Sequence, residues 1–219
     1  MNPRFFATRS TALALGLFLS ACASHPPPPE WLLTARSASE QHARLYLEGR
    51  DKLAQSALQK AREAVSRTGD AKAMAYVELH ACSVKTASLY AFGCPDFAPL
   101  AQDAGAAENA YAAYLRAEVA DSELSLLPPP QQMAWKNPPQ LGEISEPLSR
   151  LLAAAVLLQA GRLPPAGMQV AIDTARAQGW RRPLANWLRL EEERLRRQGE
   201  VAAAAAIARQ LERVLQYPE

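Results

Sequence analysis

The chain has 219 residues, with 24 Lys and Arg against 22 Asp and Glu, and Arg4 and Arg9 are the only charged residues before Cys22. The remaining chain is therefore close to neutral and has no basic block, which argues against nucleic-acid binding because that requires clustered Lys and Arg. Hydrophobic residues make up 49% of the chain, but Ala supplies much of this and aromatics only 7%. Strand-like alternation is nearly absent, so we predict an all-α protein.

The amino-terminal residues have the layout of a secretory signal peptide. Two arginines are followed by an apolar run over residues 11–20, which is too short to remain as a membrane anchor. The run ends in three apolar or small residues and a cysteine, Leu19, Ser20, Ala21 and Cys22. This tetrapeptide resembles the lipobox of bacterial lipoprotein precursors. The resemblance implies cleavage before Cys22 and acylation of Cys22, and the alternative is a plain secreted protein with a structural cysteine there.

The lipobox resemblance also implies a membrane location. Each buried acyl methylene contributes about 0.8 kcal/mol, so two or more chains hold a protein firmly on a bilayer. Ala23 and Ser24 come next, in place of the aspartate that marks similar enterobacterial lipoproteins for the inner membrane. We therefore predict a lipid anchor in the outer membrane, facing the periplasm. Residues 1–21 are then the signal peptide, and residues 22–36 are a Pro-rich linker of about 3 Å per residue.

Cys82 and Cys94 are the cysteines that remain once Cys22 is acylated. Because the periplasm is oxidising, we predict a disulfide between them, which would stabilise the fold by about 3 kcal/mol in the chain-entropy model. The alternative is a metal ligand or catalytic thiol that uses His80. A zinc site needs further ligands, and no other His and Cys pair lies nearby in the sequence. We therefore predict no metal and no cofactor.

The first helical block spans residues 37–120. Ser37 and Glu40 have the spacing of a capping box, so we predict a helix from Ser37 to Gly49 and a second helix from Asp51. Gly69 is a helix-ending glycine and Asp70 is an N-cap, and they precede the next helical pattern. We predict two further helical stretches, the second of them broken near a glycine, over residues 71–91 and 97–120.

The hairpin around Gly49 resembles a tetratricopeptide repeat. The turn glycine, a small residue, a large residue and another small residue have the spacing of that family, at Gly49, Ala54, Leu58 and Ala61. In that family the small residues let two helices nest. Together with the helical patterns elsewhere, the resemblance implies irregular antiparallel helical hairpins in a short tetratricopeptide-like solenoid.

Residues 121–142 form a Pro-rich insert in which helical periodicity is lost. Four of its side chains are too apolar to be left in water, and they are Leu126, Leu127, Met133 and Trp135. A long aperiodic segment in a compact protein usually packs as a lid or binds a ligand. These four residues therefore either cap the helical array or form a partner-binding patch.

Residues 143–219 form the second helical block. Prolines and glycines at suitable positions predict helices over residues 146–160, 165–177, 183–198 and 200–216. Basic residues concentrate in this block, with two tryptophans interleaved, at Trp180, Arg181, Arg182, Trp187, Arg189, Arg194, Arg196 and Arg197. They form either a solvated helix face, neutralised by the glutamates at 191–193, or a docking face for an acidic partner.

Sequence motifs for catalysis are absent, because the chain has no HExxH, no GxSxG and no glycine-rich phosphate loop. We therefore predict a non-enzymatic lipoprotein that serves as a protein-interaction scaffold or accessory factor in envelope assembly. The partner is expected to bind in a groove between the two helical blocks, with the insert at its edge. The alternative is a periplasmic enzyme or small-ligand binder with an unrecognised site.

Overall fold

A computed structural model describes residues 27–216, and within this range the chain is helical with no strand, which confirms the all-α prediction. Nine α-helices are found there: α1 (Glu30–Glu48), α2 (Asp51–Ser66), α3 (Ala71–Ala87), α4 (Ala106–Leu115), α5 (Pro129–Lys136), α6 (Pro147–Gln159), α7 (Gly167–Ala177), α8 (Arg181–Arg197) and α9 (Val201–Leu215). Short 3₁₀ segments cover Ala98–Leu100, Asp121–Leu126 and Pro138–Glu143. The predicted signal peptide and Cys22 lie outside the described residues.

Helix α1 begins at Glu30, so the predicted start at Ser37 is wrong. Pro29 has an extended conformation and precedes the first helical turn. Because Trp31 and Ala35 pack against α2 and α3, the stripe of buried residues begins well before Ser37. Residues 30–36 therefore belong to the helix and not to the linker. Ser37 lies inside α1 and caps nothing.

Helices α1 and α2 form an antiparallel hairpin that turns at Gly49. Its φ of +99° lies in the left-handed region, where glycine carries no side-chain penalty. The N–H of Arg50 donates to the carbonyl of Leu45 at 2.8 Å, which closes the end of α1 as in a Schellman motif. The residues picked out by the repeat-like spacing, Ala54, Leu58 and Ala61, are buried between the helices.

The third and fourth helices are shorter than predicted. Helix α3 ends at Ala87, not at residue 91, because Leu89 takes a φ of +55° and the N–H of Tyr90 returns to the carbonyl of Lys85. Leu89 packs on the main core, and this contact offsets its backbone strain. The predicted break near Gly105 is confirmed, because Gly105 is the N-cap of α4, and α4 covers only Ala106–Leu115 of the predicted stretch. The four helices of the second block lie within two residues of their predicted bounds.

The insert is not aperiodic, and this prediction is wrong. It contains α5 between two of the 3₁₀ segments. Pro129 and Pro130 occupy the first turn of α5, where the absent N–H groups have no helical partner to lose. Ala134 and Trp135 bury one side of this short helix against the core. Tertiary burial thus stabilises a helix that is too short to show a sequence period.

The main hydrophobic core contains residues of both helical blocks, and two smaller clusters pack α1 and α2 against α3. Helix α6 lies at the centre of the main core, because every residue from 151 to 157 is buried. Helix α3 packs against α6, and α1 contacts α8. Cys82 on α3 and Cys94 after it form a disulfide with a Cα–Cα distance of 5.5 Å, which confirms that prediction. No helix within residues 27–216 is long and apolar enough to cross a membrane.

Candidate functional site

A groove runs along one face of α3, from the boundary between the two helical blocks to the insert, and we call it the α3 groove. It contains two depressions that share His80, Ser83 and Tyr111. The α1 depression, of about 540 Å³, lies between α1, α3, α6 and the start of α8, and its apolar walls include Ala43, Leu47, Leu148 and Trp180. The α4 depression, of about 350 Å³, lies between α3, α4 and the insert, and its walls include Tyr76, Ala107, Leu126 and Pro128.

The floor of the groove comes from regular spacing on α3. Tyr76, His80 and Ser83 lie at positions i, i+4 and i+7, which places them on one face of a helix. The rings of Tyr76 and His80 stack with centroids 6.1 Å apart. The hydroxyl of Ser83 donates to the carbonyl of His80 at 2.7 Å. Tyr76 remains 56% exposed, so an aromatic face is open at one end of the groove.

The floor is polar but uncharged at neutral pH. Burial, together with a smaller effect of the neighbouring His42, lowers the pKa of His80 to about 4, so the imidazole is neutral. Burial also raises the pKa of Tyr111 to about 12. The Nδ1 atom of His80 is buried and has no hydrogen-bond partner in the described part of the chain. A buried polar atom without a partner costs free energy.

The rim of the groove carries more carboxylates than cations. Glu40, Glu108 and Glu146 line it, against Arg44. Glu146 accepts the N–H groups of Leu148 and Ser149 and thereby caps α6. Arg44 lies 3.8 Å from Glu48, one turn further along α1, so its charge is partly neutralised.

The structure separates the four residues that the sequence singled out in the insert. Leu126 is 41% exposed and lines the α4 depression. Leu127 and Trp135 are buried, and Met133 is half-buried against the core. The Trp135 ring lies edge-on to Tyr114 with centroids 6.0 Å apart. In this conformation only Leu126 is available to a partner, and the other three belong to the core.

Trp135 is also held from the solvent side. The guanidinium of Arg162 lies 4.6 Å from the centre of its ring and donates to the Trp135 carbonyl at 2.7 Å. The lid interpretation of the insert therefore accounts for the position of Trp135.

The aromatic and basic residues of α8 do not form one docking face. Trp187 is fully buried and donates its indole N–H to the carbonyl of Ala87 at 3.2 Å. Arg181 donates to the carbonyl of Val214 at 3.1 Å, and Arg182 binds residues of the first hairpin. Trp180 is half-buried and lines the α1 depression. Of this set, Trp180 alone contributes to the α3 groove.

The glutamates of α8 do neutralise the arginines further along the same helix. These ion pairs are one turn apart and join Arg194 to Glu191, Arg196 to Glu192 and Arg197 to Glu193. The later part of α8 is thus a charge-paired face, as the solvated-face interpretation predicted.

Sequence reasoning missed the floor of the groove. It considered His80 only as a possible ligand beside Cys82, and it did not connect Tyr76, Ser83 and Tyr111. The buried residues of α3 include Val77, Ala81 and Val84. The available signal was a second row on the same helix, at 76, 80 and 83, which is polar and aromatic although it lies beside the buried row. Which other helix would face that line is a question of tertiary packing.

The described residues contain no group of three or more His, Cys, Asp or Glu side chains that could hold a metal ion. Comparison with protein families, curated proteins and solved structures finds no match to this chain.

Proposed function

We propose that this protein is a lipid-anchored lipoprotein of the outer membrane that captures a segment of another envelope protein in the α3 groove. It would act without catalysis, as a scaffold or as an accessory factor in envelope assembly. The lipobox-like residues before Cys22 support the anchor. The observation that carries the binding role is the α3 groove itself, which is open, mostly apolar and lined at its floor by His80, Ser83 and Tyr111.

The shape and chemistry of the groove favour a chain segment as the ligand. Two apolar depressions lie on either side of a shared polar floor, so one segment can place an apolar side chain in each and hydrogen-bond between them. Exposed aromatic and apolar residues at Tyr76 and Leu126 extend the contact area at one end. Aromatic residues at the centre of a contact commonly supply much of the binding energy.

The anchor and the groove are close in the sequence. Residues 23–29 separate Cys22 from the start of α1, and α1 forms one wall of the groove. An extended Pro-rich segment of this length spans about 20 Å. A lipidated Cys22 would therefore hold the groove near the membrane surface, where partners of an envelope assembly factor are located.

Site-specific photocrosslinking in cells tests the binding role. A photoreactive residue at Tyr76 or at Leu126 should give the same covalent adduct, because both positions lie on the groove. Val201 on α9 is the matched control, since it is 73% exposed and lies on a different helix. An adduct of equal yield at Val201, or no adduct at either groove position, would contradict the proposal.

A second candidate is a small polar ligand, and the polar floor formed by His80, Ser83 and Tyr111 favours it. A neutral imidazole can satisfy a hydroxyl or amide group of such a ligand. Native mass spectrometry of the purified protein distinguishes the two functions. A retained small molecule that is lost in a His80→Phe variant would support the second candidate over the first.

A further inference from the structure

The carboxylates around the α3 groove have no cation bound to them within residues 27–216. Glu40, Glu108 and Glu146 form no ion pair within 4.0 Å anywhere in the described residues. The one lining arginine, Arg44, already faces Glu48. His80 adds no positive charge, because it is neutral at the floor. The rim is thus negative around an apolar interior.

From this arrangement we infer that the captured segment is basic and amphipathic, with apolar side chains that enter the two depressions and Lys or Arg residues that face the rim carboxylates. This inference rests on the proposed function and specifies the chemistry of its partner. A helix meets both needs, since it presents apolar anchors along one face and cations on its flanks. Complementary charge would fix the register of the segment and speed its association.

The same charge distribution distinguishes a protein segment from a lipid surface. Anionic lipid head groups attract basic patches and are repelled by carboxylates. The rim carries three carboxylates against one arginine, so the groove is unsuited to an anionic bilayer. The groove can therefore stay free for a partner while the protein is held on the membrane by its anchor.

A pair of synthetic helical peptides tests the inference. One is an amphipathic peptide of Leu and Lys, and the other has Glu in place of every Lys. Binding is followed by fluorescence anisotropy at low salt, with the purified full-length mature protein in zwitterionic nanodiscs and empty nanodiscs as the blank. The Leu and Lys peptide should bind at least about tenfold more tightly than the Leu and Glu peptide, and added salt should weaken it.

Charge-matched variants localise the binding. The groove variant Glu40→Lys/Glu108→Lys should bind the basic peptide at least about tenfold more weakly, because it reverses two rim charges. The control Glu63→Lys/Glu212→Lys has the same net charge, but Glu63 lies on α2 and Glu212 on α9, away from the groove. The affinity of the control for the basic peptide should fall by less than about twofold, which is the effect of long-range charge under screening.

A third variant tests the apolar part of the site without any change of charge. Ala107 is exposed on α4 and lines the α4 depression. Ala107→Trp should therefore fill the depression and lower the affinity for the Leu and Lys peptide. Exposed positions tolerate such changes with little loss of stability. Thermal melting of each variant verifies that it folds, and Glu40→Gln/Glu108→Gln replaces the lysine pair if that pair lowers the melting temperature.

Three results would overturn the inference. They are equal weakening by the groove and control pairs, equal affinity for the two peptides, and no binding of the Leu and Lys peptide. If one of these occurs while crosslinks still form at Tyr76 and Leu126, the chemistry assigned to the partner is wrong but the proposed function remains. If the crosslinks are absent as well, both fail.

Discussion

The guanidinium of Arg182 lies over the ring of Tyr46, 4.2 Å from its centroid, and its Nε–H donates to the backbone carbonyl of Tyr46 at 2.7 Å. A second guanidinium nitrogen pairs with Asp51 at the start of α2. These contacts join the first turn of α8 to the turn between α1 and α2. Because Tyr46 lies in the last turn of α1, the cation also interacts favourably with that helix end. Arg182 therefore holds the first hairpin against the second block beside the α3 groove.

Arg182→Lys should destabilise the protein by about 1–2 kcal/mol, because an ammonium cannot stack on the ring and bind the carbonyl and the carboxylate in the same geometry. Urea unfolding measures the change. Arg189→Lys is the matched control on the same helix, since Arg189 is exposed and bonds only to Asn186 there. Equal free energies of unfolding for the two variants would show that the Arg182 contacts contribute nothing specific.

Trp135→Ala should lower the free energy of unfolding by about 3 kcal/mol and leave partner capture intact, because the side chain is 9% exposed and packs on Tyr114. Trp135→Phe keeps part of the ring contact, so its free energy of unfolding should fall by less. Both are measured by chemical denaturation and by crosslinking at Tyr76. A Trp135→Ala protein that is stable but fails to capture its partner would contradict the lid interpretation and support the insert as a partner-binding loop.

Acidification should destabilise the protein between about pH 6.5 and about pH 4. Burial lowers the pKa of both His42 and His80, so the unfolded chain, with a histidine pKa near 6.5, binds more protons than the native chain in this window. For His80, whose pKa is about 4, the expected loss between about pH 7 and about pH 5 is about 2 kcal/mol. Urea unfolding at both pH values measures it, and a His80→Phe variant with the same pH dependence as wild type would contradict the assignment.

Cys82→Ser/Cys94→Ser should lower the free energy of unfolding by about 3 kcal/mol, because the unfolded chain regains the entropy of a short closed loop. Thermal melting with and without reductant provides the comparison. Mass spectrometry without reductant should find the two cysteine peptides linked in periplasmic material. Free thiols at both positions there would show that the bond does not form in the cell.

Cys22→Ser should block acylation and prevent release of the mature lipidated protein, because no thiol is left for the acyl chain. Membrane fractionation and mass spectrometry of the amino-terminal peptide measure the outcome. Cys82→Ser/Cys94→Ser serves as the matched cysteine control, and it should fractionate as the wild type does. A Cys22→Ser protein that is processed and remains on the membrane would contradict the lipid anchor.

The sequence was most informative where a single residue type determines local geometry. Gly49 ends α1 because the left-handed conformation of the turn favours glycine, and Asp70 starts α3 because its carboxylate accepts the N–H groups of Lys72 and Ala73. The disulfide was predictable from the count of cysteines and the expected compartment. The helical class followed from period and composition, which act over short stretches of chain.

Only the tertiary structure decided which side chains face solvent and which meet in one place. Trp135 and Trp187 have the sequence character of binding residues, yet packing against Tyr114 and α3 makes them core. Tyr76, His80 and Tyr111 have ordinary neighbours in the sequence, yet they line the α3 groove because α4 packs against the same helix that carries His80. Helical period fixes the face on which a residue lies, but the partner of that face is set by contacts between segments far apart in the chain.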